Sequence, residues 1–85
     1  MKSVFSDEYD IMLRSLVAVR KDAGITQQEL ADRLGKPQSF VSKYENRERR
    51  LDMAEFVVIC RALDASPKNV LGEMLSRLDK PKRKR

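Results

Sequence analysis

The sequence predicts an all-α fold of five helices, with the second and third joined as a helix-turn-helix. Three observations predict it. Apolar residues recur at helical spacing in five windows, and no window alternates apolar and polar residues as a strand would. Gly24, Gly35, Pro37 and Pro67 fall at predicted helix boundaries. Finally, Thr26 with Glu29 and Asp52 with Glu55 are spaced as capping boxes, and only a few residues separate the stop at Gly35 from the next helical pattern.

Helix one begins at Ser6, where Asp7 and Glu8 place acids on the positive end of the dipole. It continues through Met12, Leu13, Leu16, Val17 and Arg20 up to Gly24. Helix two runs from about Thr26 to Leu34, with Leu30, Ala31 and Leu34 on one stripe. Gly35 supplies the left-handed residue that stops it. Helix three spans about Pro37 to Asn46, since a proline suits a first turn where its missing N–H is harmless. So short a turn makes helix three swing across helix two and leaves its outer face free to enter a groove. Asp52 caps helix four, whose buried side is read as Met53, Phe56, Val57, Cys60 and Leu63. Ser66 caps helix five, with Pro67 in its first turn, and Val70, Leu71, Met74, Leu75 and Leu78 form a narrow stripe like the seam of two paired helices. Residues 1–79 are therefore expected to make one domain. The tail at 80–85, KPKRKR, has no apolar anchor and is expected to be disordered.

With 18 basic against 13 acidic residues in 85, the chain carries a net charge of +5, which favours a polyanion such as nucleic acid. Histidine is absent and Cys60 is the sole cysteine, so an intrachain disulfide, a zinc cluster and a His-based catalytic centre are excluded by ligand counting. No cofactor or metal is expected. The absence of a long apolar run points to a protein of the cytoplasm, at the nucleoid, rather than of a membrane. Cys60 and the helix-interior methionines Met12, Met53 and Met74 read as apolar filling.

On helix three, an advance of about 100° per residue turns Val41, Tyr44 and Glu45 one way and Ser39, Lys43 and Asn46 the other. From Gln38 to Tyr44 there is no acidic residue, and the outer face offers amide, hydroxyl and ammonium groups. These suit base edges. Gln38 can pair with adenine, Lys43 with guanine, Ser39 and Ser42 with either, and the Phe40 ring can touch a thymine methyl. A merely solvated face would look similar. Around the helix, Lys36, Arg47, Arg49 and Arg50 supply positive charge, while Gln27 and Gln28 lie at the positive end of helix two. Backbone phosphates would bind there.

Taken together, Arg20, the TQQELADRLG segment, the QSFVSKYE segment and the FVVICRALDAS helix resemble the lambda-repressor and Cro class of helix-turn-helix domains, often called the xenobiotic-response-element family. The resemblance covers about residues 10–72. It implies a five-helix DNA-binding domain with Gln38, Ser39 and Lys43 in the major groove of double-stranded DNA. It also implies backbone contacts from Gln27 and Asn46, and a salt bridge between Arg20 and Glu45. The bridge is physically reasonable, because Glu45 is on the inward face and needs a cation once desolvated. Two positions depart from the family, in which many members have glycine at Arg47 and a small hydroxyl residue at Phe40. A left-handed Arg47 would carry about 1 kcal/mol of strain, which leaves open a different path for the loop.

The leading functional expectation is a sequence-specific regulator, a repressor in the first instance. It would bind a palindromic operator as a homodimer through Leu71, Met74, Leu75 and Leu78, and exclude or recruit polymerase. The alternatives are the antitoxin of a toxin pair, for which a toxin would be the protein partner, and a restriction-modification controller. A toxin-wrapping segment would have to come from the short start or the basic tail, which ranks the antitoxin lower. An enzyme has no nucleophile and base to build on.

Overall fold

A computed structural model describes residues 6–79 and contains α1 (Asp7–Asp22), α2 (Gln27–Leu34), α3 (Gln38–Glu45), α4 (Met53–Ala62) and α5 (Pro67–Leu78). Among the described residues there is no strand. The basic tail at 80–85 lies outside them.

Caps fix where the helices begin. Ser6 Oγ accepts from the Tyr9 N–H at 3.1 Å, and Ser66 Oγ from the Asn69 N–H at 3.2 Å. Complete capping boxes open α2, through Thr26 and Glu29, and α4, through Asp52 and Glu55. The Thr26 backbone N–H and hydroxyl hold the Glu29 carboxyl below its usual range. Pro37 is the N-cap of α3 rather than its first residue, and makes no side-chain cap.

Four helices stop in the same way. After α1, α2, α3 and α4 a residue in the left-handed region turns the chain, and two crossed backbone bonds close the last turn, as in Glu48 N–H to Lys43 O at 2.8 Å and Arg47 N–H to Tyr44 O at 3.2 Å. Gly24 and Gly35 occupy two of these positions at no steric cost. Arg47 at φ 67° and Asp64 at φ 58° occupy the others. The loop after α3 thus keeps the left-handed turn despite having arginine there.

All five helices contribute to one core, in which Leu16, Leu30, Ala31, Val41, Tyr44, Ile59 and Cys60 are almost wholly buried. In α1 the inward residues are Tyr9, Leu13, Leu16 and Arg20, spaced 4, 3 and 4 apart, with Met12 and Val17 at the edges of the stripe. Burial pushes the Cys60 thiol up to about 11, so it stays protonated as an apolar filler. Tyr44 is likewise raised by burial.

One sequence expectation fails in α4. Met53 is 66% exposed, not buried. It directly follows the Asp52 cap, at the edge of the helix, and the inward positions are Phe56, Ile59 and Cys60, followed by Leu63 at the C-cap. Val57 is half-buried, and Val58 on the opposite side is exposed.

Helix α5 packs on α1 and α4 through Val70, which leaves Leu71, Met74 and Leu78 half-buried and Leu75 46% exposed. At the α1–α5 contact Ser15 is buried, and its hydroxyl has no hydrogen-bond partner among the described residues. Ser15→Ala is therefore expected to raise stability by about 1 kcal/mol, because it removes a desolvated hydroxyl and leaves no partner unsatisfied. Thermal unfolding of the two proteins checks this, and a lower melting temperature for the variant would contradict it.

Candidate nucleic-acid interface

Helix α3 lies across α2, with Val41 and Tyr44 sunk into the core. This fixes its outer face. Gln38, Ser39, Lys43 and Asn46 are exposed, while Ser42 and Phe40 are half-buried. Ser42 Oγ donates to the Ser39 carbonyl at 3.3 Å.

A chain of side-chain hydrogen bonds runs from this face into the interior. Arg20 Nε and Nη2 donate to the two Glu45 carboxylate oxygens at 2.7 and 2.9 Å, and Arg20 Nη1 donates to Ile25 O at 2.8 Å. Both side chains are nearly excluded from solvent. The hydrogen bond to Glu45 raises the Arg20 pKa above its ordinary value against the cost of burial. Gln27, at the first position of α2, donates through Nε2 to Glu45 Oε1 at 2.8 Å. Its own carbonyl accepts from Gln38 Nε2 at 2.7 Å. Gln38, the first residue of α3, is thus tied through Gln27 and Glu45 to α1. Gln28 turns away and bonds Asp32 within its own helix at 2.9 Å.

The cations around α3 are held by the protein itself. Arg49 Nη2 donates to Glu55 Oε2 at 2.8 Å, and its guanidinium lies 4.7 Å from the centre of the Phe40 ring. Lys36 Nζ is 5.3 Å from the same ring, which meets Tyr44 edge-on at 5.7 Å. Phe40 is therefore a shared platform for two cations as well as a lid on the core. Arg50 stacks over the Tyr9 ring at 4.5 Å, and Tyr9 Oη accepts from the Leu51 N–H at 2.8 Å. Arg47 pairs with Asp10 at 3.1 Å. Glu55, held below the usual carboxylate range first by Arg49 and then by the Asp52 N–H, serves the cap and the cation together.

Sequence reasoning missed Tyr9, Asp10 and Glu55 as supports of this loop. Tyr9 had a signal, since it precedes Leu13 and Leu16 at core spacing. Asp10 had none, because its partner is 37 positions away.

A helix-turn-helix family model matches residues 16–69 of the chain. An XRE-family-like protein from Pseudomonas syringae pv. tomato str. DC3000 is 50% identical over 82% of this chain and 85% of its own, with a TM-score of 0.79. The chain belongs to the XRE-type helix-turn-helix family. Membership makes it a DNA-binding regulator of transcription, in a family that is not enzymatic. The clp gene regulator ClgR from Corynebacterium glutamicum is similar at 25% identity, over 86% of this chain and 78% of that one, with a TM-score of 0.73. The restriction-modification controller protein C.Esp1396I, at 19% identity over 91% of this chain and 99% of its own, shares the fold with a TM-score of 0.80. Against curated proteins no significant match was found. Among the described residues no helix is long and apolar enough to cross a membrane, and no group of acidic or cysteine residues is arranged to hold a metal.

Proposed function

We propose that this XRE-type protein is a repressor that binds a palindromic operator as a homodimer, with α3 in the major groove, and excludes polymerase from the promoter. The hydrogen-bonded chain from Gln38 to Arg20 carries the reading, because it aligns a base-reading group before DNA arrives. Glu45 accepts only, so Gln27 must turn its NH2 group toward it. The Gln27 carbonyl then faces α3 and accepts a hydrogen bond from the Gln38 NH2 group. Gln38 is left with its carbonyl and one N–H directed outward, the pair that matches adenine N6 and N7. Ser39 and Lys43 follow on the same face. Ser42 and the exposed edge of Phe40 supply the remaining base contacts. Gln27, Gln28, Asn46 and the cations Lys36, Arg47, Arg49 and Arg50 supply phosphate contacts. The exposed Leu75 and its neighbours Leu71, Met74 and Leu78 join two copies, which sets the two α3 helices about 34 Å apart on one face of the duplex.

In vitro selection from random duplexes tests the reading. A two-fold symmetric motif with adenine at one position of each half-site is expected. Gln38→Ala should flatten that position alone, with about 10- to 100-fold lost against the wrong base. Gln27→Ala should relax the same position, since the Gln38 amide is then free to turn. Enrichment of no motif, or a motif indifferent to Gln38, would defeat the proposal.

A further inference from the structure

The turn after α3 costs more than it needs to. Arg47 holds φ 67°, where glycine is unstrained, and its guanidinium reaches back to α1, where Asp10 Oδ1 lies 3.1 Å from Arg47 Nη1. The other oxygen of Asp10 is 3.2 Å from Arg14 Nε. Beside this cluster runs a groove of about 410 Å³, edged by the cations Arg14, Lys21 and Arg47, with Leu13, Val17 and Ala18 among the residues that line it. Next to Asp10, Tyr9 holds the far end of the loop through the Leu51 N–H and the Arg50 guanidinium.

From this geometry we infer that Asp10 is an affinity-determining residue, which in the free protein occupies the place on Arg47 and Arg14 that a DNA phosphate takes on binding. The inference rests on the proposed phosphate role of the 47–50 loop and deepens it. The three carboxylates that hold arginines around the interface differ in how firmly they are committed. Glu45 is bound at both oxygens in a site closed to solvent. Glu55 is also fixed by the cap of α4. Asp10 instead bridges two arginines whose side chains are 74% and 46% exposed, so its pairs are weak and open to exchange. A phosphate offers the guanidinium groups the same paired oxygens and adds the release of counterions from DNA. Asp10 remains nearby as a like charge. It lowers affinity for DNA of any sequence, so a larger share of tight binding depends on base contacts.

The test uses the full chain and a mixed-sequence DNA duplex long enough for two half-sites, because phosphate contacts do not depend on sequence. Asp10→Asn keeps the side-chain shape and removes the charge. It is expected to bind threefold to fivefold more tightly at about 50 mM salt, with the gain shrinking toward about 200 mM. Asp10→Glu should bind like the parent. In the Arg47→Ala background the gain from Asp10→Asn should shrink to the share that Arg14 carries. Asp10→Asn binding no more tightly than the parent, with an unchanged melting temperature, would overturn the inference, as would a gain of undiminished size without Arg47. Arg47→Ala alone separates the two levels, since it should reduce the slope of log affinity against log salt by about one. An unchanged slope would remove Arg47 from the DNA and with it the basis of the proposal, leaving the rest of the proposed interface standing.

Discussion

Arg20→Ala is expected to lower the free energy of unfolding by about 3 to 5 kcal/mol, the cost of stranding one partner of a buried pair. A domain of this size has about 4 to 13 kcal/mol in total, so the variant should be partly unfolded well below the parent's melting temperature. The loss has three parts in the structure. Glu45 would keep only Gln27 as a donor from outside its own helix, the Ile25 carbonyl would lose its guanidinium, and α1 would lose its bond to the end of α3. Arg20→Lys should recover only part, because an ammonium cannot span both carboxylate oxygens and the carbonyl in one plane. The exposed Arg77–Glu73 pair is the internal control, where truncation should change stability by less than about 1 kcal/mol. Denaturant unfolding measures each variant. An Arg20→Ala protein that unfolds like the parent would show that the pair adds nothing to the fold.

That pair also shows what a sequence discloses and what it withholds. Periodicity and capping residues are local, so the five helices, their order and both capping boxes could be read directly, to within a residue at Pro37. The burial of Glu45 could be read from the α3 face, but its partner on α1 came from resemblance, since no spacing rule connects positions 25 apart. Met53 was misread because a cap-adjacent residue shares the helical phase of the core yet lies beyond its edge. The loop was the least legible part. Arg47, Arg49 and Arg50 read as a run of charge, and nothing local indicates that Asp10, Glu55 and Tyr9 would each take one of them. For the same reason Phe40 read as a base contact, whereas its ring also supports Lys36 and Arg49.

Replacing Leu75 and Leu78 together with aspartate is expected to yield a monomer of about the chain mass of 9.8 kDa and to weaken operator binding by about 10²- to 10⁴-fold, the avidity lost when a second half-site is no longer held nearby. The size of the effect follows from where these side chains are. Val70 is the residue of α5 sunk into the core, whereas Leu75 is exposed and Leu78 only half-buried at the last helical position. Charge at 75 and 78 should therefore spare the fold and act on whatever covers that face. Unchanged helix content and melting temperature in the variant would establish this. Sedimentation or light scattering then decides between three outcomes. A dimeric parent and a monomeric variant place the seam on α5. If both are dimers, the contact lies elsewhere, and the exposed Met53 and Val58 of α4 become the next apolar surface to alter. A parent that is itself monomeric with and without operator DNA would end the palindrome argument, since one copy of α3 can read only one half-site.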